Sequence, residues 1–416
     1  MTRSERSYYF LSGSYNLAQF FIAPIYPLFL ISRGLDLFQI NAVLATYGVT
    51  TVLFEVPTGA IADVAGRRLS FVLGCAIRAG AYLLYTQVQS FGDCLFAEFL
   101  DAIGTTFVSG ALDAWAVDGV RAEDDSRPID GIFSRAAVIA RSLMIAGGLA
   151  GGYLAEAALV LPWLVAGALF TVSGVAGAIL MRETGGPGTP GTPVPERHSI
   201  RRTVAESVSI VRGSPILLLL CALSLASAFA AFPIHMLWQP RMVELGGDRL
   251  RVMGWIVALL NVTSLIGSAL LPRLLRRFRR EWILCVAMLW RSAMVAILAA
   301  ASTLRPAVAG LLLQEVSFGL SDPVTAAWTN EHVAAAQRAT VLSIRSTAVL
   351  FGASLGLVAI GLVARSFGMP AAFAVSAAIF ALAAPGFLVL GRAAQRAAGG
   401  SGTRSKPRHS RTGSAG

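Results

Sequence analysis

Two stretches decide what this chain can fold into. Leu217–Leu237 contains no Asp, Glu, Lys or Arg, and Ile283–Ala301 is interrupted only by Arg291. About 20 apolar residues carry a helix across a ~30 Å hydrocarbon layer. Comparable runs recur along the chain, so twelve spans are expected at 9–31, 39–62, 70–88, 94–118, 134–155, 160–181, 215–238, 252–272, 282–301, 306–329, 340–363 and 369–391. Their apolar residues are continuous and do not alternate with period two, which argues against a membrane barrel. The reading is an all-α membrane protein.

Charge confirms the reading and orients it. Charged residues make up 14% of the chain, against roughly 25% in a soluble protein. Twelve spans put both termini on one side, and most of the 34 Lys and Arg residues fall on that side. By the positive-inside rule both termini are expected in the cytoplasm, as in a multi-pass protein of the cell (plasma) membrane. The net charge of +11 is then an orientation signal and implies no nucleic-acid partner. Only Arg3 and Arg6 precede a full-length span, with no small-residue cleavage site, so no cleaved leader is expected. Cys75, Cys94, Cys221 and Cys285 lie in or at the edges of separate spans without metal-ligand spacing. They read as packing residues, and no metal or cofactor is implied.

The spans fall into two blocks of six. A Gly-, Pro- and Thr-rich segment from Arg182 to Arg202 separates them. The expected division is a six-helix bundle over 1–183, a cytoplasmic linker over 184–203, a second six-helix bundle over 204–392 and a disordered tail over 393–416. The blocks resemble each other. AWAVD, Ala114–Asp118, is echoed by AWTNE, Ala327–Glu331; RAAV from Arg135 by RATV from Arg338; and Arg78 by Arg291. A duplicated six-helix unit marks secondary transporters, whose binding site lies between the repeats near the bilayer midplane.

The second span ends in EVPTGAIADVAGRR, Glu55–Arg68. Glu55, Gly59 and Asp63 recur at four-residue spacing and share one helix face. Asp63 sits where the helix end already carries partial negative charge, so a positive group must offset it. Gly66 permits a tight loop, and Arg67 and Arg68 suit an inner headgroup region.

Gly59, Asp63, Gly66, Arg67 and Arg68 resemble the signature of the major facilitator superfamily, G-x-x-x-D-(basic)-x-G-(basic)-(basic), departing at Val64. The resemblance implies twelve helices in two pseudo-symmetric bundles. It also implies a latch in which Asp63 caps the start of span eleven and a loop arginine meets Asp118 at the inner end of span four, holding the outward-open state. The second-half counterpart keeps Gly267 and the arginines but places Leu271 at the acid. Span five carries Gly147, Gly148, Gly151 and Gly152, which resemble the glycine motif of drug and metabolite exporters with Gly148 in place of its proline.

Charges inside the bilayer carry the remaining information, because each costs at least ~2.5–3.5 kcal/mol at mid-depth unless paired or hydrated. Glu98 and Asp101 lie one turn apart and cannot both ionise cheaply. They are the candidates for carrying protons, Asp101 first, with Glu315 second and Glu55 in reserve. Arg78 and Arg291 lie near mid-depth, Arg291 within reach of Glu315. Ser12, Asn16 and Gln19 in span one, and Ser224, Ser227 and His235 in span seven, are expected to line the cavity. Pro24, Pro27, Pro57, Pro233 and Pro323 are expected to kink their spans.

The leading reading is a monomeric secondary transporter that exports a small drug-like compound or metabolite in exchange for protons. An uptake permease for a small polar nutrient is the alternative. A membrane-bound enzyme or receptor-like scaffold lacks support, since no nucleophile–base arrangement, nucleotide loop or metal-ligand pair is visible.

Overall fold

Inside lipid a chain must satisfy its own backbone N–H and C=O groups, so the apolar runs become helices. The computed structural model describes residues 1–183, 209, 211–247, 249–331 and 338–401, and no strand occurs among them. The first half comprises α1 (Arg3–Phe20), α2 (Tyr26–Ser32), α3 (Leu37–Ala65), α4 (Arg67–Tyr85), α5 (Phe91–Val108), α6 (Ala111–Glu123), α7 (Ile129–Ala157) and α8 (Leu161–Leu180). The second comprises α9 (Pro215–Glu244), α10 (Leu250–Leu275), α11 (Arg280–Ala300), α12 (Leu304–Glu331), α13 (Arg338–Phe367) and α14 (Met369–Ser401). Helices α1 and α2 make one broken span and α5 and α6 another, giving twelve. Nine of the twelve are long and apolar enough to cross a membrane on composition alone. The other three are α1–α2, which carries Gln19, α4, which carries Arg78, and α12, which carries Gln314 and Glu315.

Two six-helix bundles result. In the first, α4 packs on α5 and α8, α1 on α7 and α8, and α3 on α5. In the second, α11 packs on α12 and α14, α9 on α13 and α14, and α10 on α12. Between bundles the principal contacts are α3 with α13 and α7 with α10. Those contacts lie toward the end opposite the termini. There Arg365 faces Asp36 at 3.4 Å, Arg251 faces Glu156 at 3.5 Å and Gln239 donates to the Ala23 carbonyl at 3.1 Å. At the terminus-bearing end α3 stands clear. Glu55, Val56, Ile61, Asp63 and Val64 are all exposed although they point in several directions around the helix, and Gly59 has open space beside it. The protein is closed at the far end and open at the end that carries its termini.

The four glycines of span five explain how the far end closes. Gly147 and Gly151 press on α1: a Cβ on Gly147 would lie 2.8 Å from the Leu17 carbonyl, and one on Gly151 would overlap that of Phe21. Gly148 and Gly152 face the other bundle. A Cβ on Gly148 would lie 2.9 Å from Val257, and one on Gly152 3.0 Å from the backbone of Gly254. The helix is thus used on both sides, and it runs through Gly148 unbroken. Gly352 and Gly356 of α13 repeat the first device against Leu225 and Phe229 of α9.

Several expectations are corrected. The last helix continues past 392 to Ser401, because Ala393, Ala394 and Gln395 favour helix and Gln395 donates to Glu281 at 3.2 Å. The remainder of the expected tail, from 402, and the linker 184–203 lie outside the described residues. Pro24 sits in the break between α1 and α2, and Pro27 opens α2 at a position where its missing N–H costs nothing. Pro57, Pro233 and Pro323 lie within continuous helices. Span four breaks at Ser109–Gly110, where Gly110 adopts φ 74°. Gly267 packs α10 against the Val316 backbone of α12, and Leu271 is buried.

Candidate functional site

Arg78 is 1% exposed at mid-depth of α4, and every part of its guanidinium has a partner. Nε donates to Asp101 Oδ1 at 2.7 Å and Nη2 to Oδ2 at 3.1 Å, a two-pronged ion pair. Nη1 donates to the Tyr15 hydroxyl at 2.6 Å and to Gln19 Oε1 at 3.2 Å. The face of the group lies 4.4 Å from the Phe170 ring centre. The helices approach closely enough because Gly74 and Gly104 bring α4 and α5 into backbone contact. A charge this deep persists only when paired, and this one is.

Asp101 is therefore committed to Arg78, and Glu98, one turn away as expected from the sequence, takes other hydrogen-bond partners. Both are buried, but they point to different partners. Glu98 accepts from the Tyr26 hydroxyl at 2.8 Å and from the Tyr85 hydroxyl. No basic side chain forms a hydrogen bond or ion pair with it among the described residues. Tyr85 in turn stacks on Trp163 with ring centres 4.2 Å apart. Glu98 is a buried acid held by neutral donors alone.

The second half reproduces the arginine and changes its partner. Arg291 follows Arg78 at the repeat spacing and is 4% exposed, yet its Nε donates to the neutral Gln314 Oε1 at 2.8 Å. Gln314 occupies the place of Asp101, since each partner lies 23 residues after its arginine. The expected direct pair between Arg291 and Glu315 is absent. Gln314 Nε2 stands between them and donates to Glu315 Oε1 at 2.5 Å. The guanidinium rests 4.7 Å from the Phe380 ring centre.

The loop motif is also duplicated. Arg67 pairs with Asp118 across α4 and α6, and Arg280 pairs with Glu331 across α11 and α12 at 2.5 Å. Each pair spans 51 residues, so the repeated AWAVD and AWTNE segments end in equivalent acids. Gly66 adopts φ 98°, where only glycine is unstrained, and lets α4 follow α3 without a linker. Arg68 donates its backbone N–H to Glu183 at 2.8 Å. Asp63 is exposed and has no polar partner among the described residues. The stretch preceding α13, residues 332–337, where Asp63 is expected to act as a cap, lies outside them.

Two family models match this chain. One, described as the major facilitator superfamily, covers residues 236–413, and the other, described as sugar transporters with 12 TM, covers residues 6–322. The chain belongs to the major facilitator superfamily. It is similar to an uncharacterized MFS-type transporter, YxaM, of Bacillus subtilis (strain 168), at 24% identity over 89% of this chain and 92% of that one. Among solved structures it is similar to a mutant form of the nucleoside transporter NupG, with TM-score 0.81 and 11% identity over 93% of this chain and 99% of that one. A bacterial homolog of the human lysosomal transporter Spinster, inward-facing and unoccupied, matches with TM-score 0.75 and 14% identity over 94% and 97%. These likenesses establish the fold. The protein is a transporter and not an enzyme.

As in any member of the superfamily, the space between the bundles is where a substrate can sit. One cavity of about 400 Å³ is lined from the first bundle by Phe20 and Arg141 and from the second by His235, Trp238, Asn261 and Glu315. A smaller one of about 140 Å³ is lined by Ser224, Ser227, Arg291, Asp322 and Arg345. Phe318 borders both. Ser224 and Ser227 line the smaller cavity, and His235 and Glu315 the larger. Ser12 and Asn16 are half-buried, and Asn16 donates back to the Ser12 carbonyl at 2.8 Å. Gln19 serves Arg78 instead. Glu55 is exposed on the free part of α3 and makes no side-chain contact with another charge.

The sequence reading did not single out Tyr15, Tyr82, Tyr85, Gln314, Arg141 or Arg345. A signal existed for one of them. Tyr82 lies one helical turn after Arg78, on the face that must bury the charge.

Proposed function

We propose that the protein moves a small, partly apolar molecule out of the cell by alternating access, coupled to protons, with both termini in the cytoplasm of a plasma-membrane protein. On that orientation the conformation is inward-open, and the cavity faces the compartment from which an exported compound is loaded. The carrying observation is Glu98: a buried carboxylate whose hydrogen-bond partners are two tyrosine hydroxyls and which has no ion pair among the described residues, so taking up a proton breaks no salt bridge. It replaces Asp101 as first choice, because Asp101 is fixed by Arg78. Glu315 remains second, reached from the larger cavity. The Arg67–Asp118 and Arg280–Glu331 pairs would act as latches whose neighbours change when the open end closes, with Asp63 meeting the start of α13 in that state.

Uptake of a polar nutrient is the second reading. It draws support from the family model described for sugar transporters and from the nucleoside transporter among structural relatives. The test is a resistance and transport screen in a host stripped of its own efflux pumps, followed by flux of the resulting compound in everted vesicles. Acidifying the vesicle interior should drive accumulation. Accumulation only in right-side-out vesicles, or flux indifferent to the pH gradient, would overturn export by proton exchange.

A further inference from the structure

The two halves treat their central arginine differently, and the difference points to the chemistry of the substrate. Arg78 has a carboxylate, Asp101, in two-pronged contact. Arg291, at the equivalent place, has the neutral amide of Gln314 on its Nε and no protein acceptor on either terminal nitrogen among the described residues. It lines the smaller cavity together with Arg345. Arg345 makes no side-chain hydrogen bond or ion pair among the described residues, and its Nε is buried without a partner there. Among the described residues the only acid lining that cavity is Asp322, against two arginines. Arginines at membrane depth are expensive and are normally answered by an acid.

We propose, building on the reading of a transporter, that the substrate itself is an organic anion whose carboxylate or phosphate takes at Arg291 and Arg345 the place that Asp101 holds at Arg78. Guanidinium groups suit such a ligand because their donors match the spacing of its oxygens. Ser224 and Ser227 on the adjoining wall offer hydroxyl donors to the same group. Phe318 and the larger cavity beyond it would take an apolar body. Gln314 is the specificity device. A carboxylate there would occupy Arg291 permanently, as it does in the first half, and exclude the ligand.

The test uses the purified full-length protein and small probes of matched shape: benzoate, phenylphosphate, naphthoate and decanoate, each against its neutral amide or alcohol at constant ionic strength. Thermal-shift and tryptophan-fluorescence titrations should show binding of at least one acid with its neutral partner weaker by about tenfold or more. Arg345→Gln should weaken that acid by a similar factor. Gln314→Asp should abolish its binding while the protein still folds, since Arg291 gains the partner that Arg78 already has, which offsets the loss of the amide donor to Glu315. That variant separates loss of the site from loss of the fold. Equal binding of acid and neutral probes across the series, no binding by any acid, or full acid binding in Gln314→Asp would overturn the proposal. Counterflow of the bound acid in proteoliposomes distinguishes the two readings: binding without counterflow sinks the transporter mechanism alone, and counterflow restricted to neutral compounds sinks the anion site alone.

Discussion

Adjacent glycines on α7 should respond to substitution in opposite ways. Gly152 meets the backbone of Gly254 in the other bundle, where an added Cβ would sit 3.0 Å from the Gly254 nitrogen and Cα. Ordinary contact begins near 3.4 Å, so the bundles must separate by a few tenths of an ångström at the far end. Backbone on both sides leaves no side chain to yield. Gly152→Leu should therefore cost the far-closed state about 1–3 kcal/mol of overpacking. The far-open state, in which α7 and α10 part there, escapes that cost. The equilibrium should shift by about five- to 150-fold toward it. Gly151→Ala instead drives a methyl into the Phe21 carbonyl within one bundle. It should lower thermal stability without changing which end is open. Spin labels on cysteines at positions 36 and 365, in a Cys221→Ser background with the other three native cysteines buried, read the distance directly. Labelling removes the exposed Asp36–Arg365 pair, below about 1 kcal/mol, and the Asp36 cap of α3, about 1 kcal/mol, both common to every sample. A distance distribution unchanged by Gly152→Leu, or moved equally by Gly151→Ala, would refute the division of labour between the two glycine faces.

Other outcomes follow from the charges. Asp101→Asn strips the buried Arg78 of its counter-ion, a loss of about 3–5 kcal/mol, so expression and melting temperature should fall; a stable, fully active variant would mean that the ion pair is dispensable. Single and double neutralisation of Arg67 and Asp118 should give a coupling in the melting temperature equivalent to no more than about 1 kcal/mol, because the pair is solvent-exposed. Transport should fall far more than stability, and proportionate losses would deny the pair a role in switching. Tags after Arg396 should be reached only from the cytoplasm and a tag at Gly246–Gly247 only from outside, with the reverse pattern overturning the orientation.

The fold was legible in the sequence because lipid leaves few choices: run length gives the spans, and recurrent AWAVD and AWTNE give the repeat. The breaks were legible only in part. Pro24 announces the interruption of span one, whereas Ser109–Gly110 breaks span four with no proline. The charge partners were harder to read, since spacing along one helix says little about what a neighbouring helix presents. Glu98 and Asp101 are one turn apart, and sequence pairs them. Three-dimensional packing gives one to Arg78 and the other to Tyr26 and Tyr85. Glu315 follows Gln314 directly, and only packing reveals that the amide stands between it and Arg291. The glycines of span five resembled a known motif, but their two-sided use depends on α1 and α10, which no local pattern specifies.

The central claim is that a proton carried by Glu98 drives transport, and one side-by-side measurement tests it. Once the screen supplies a substrate, wild type and Glu98→Gln are placed in proteoliposomes, and uphill flux under an imposed pH gradient is compared with exchange at equal pH. Glutamine keeps the size of the side chain and can still accept from Tyr26 or Tyr85, so the fold and the exchange reaction should persist. Uphill flux should vanish, and exchange should lose its dependence on pH. If Glu98→Gln still concentrates substrate against its gradient at the wild-type rate, Glu98 does not carry the proton and the proposed coupling is wrong.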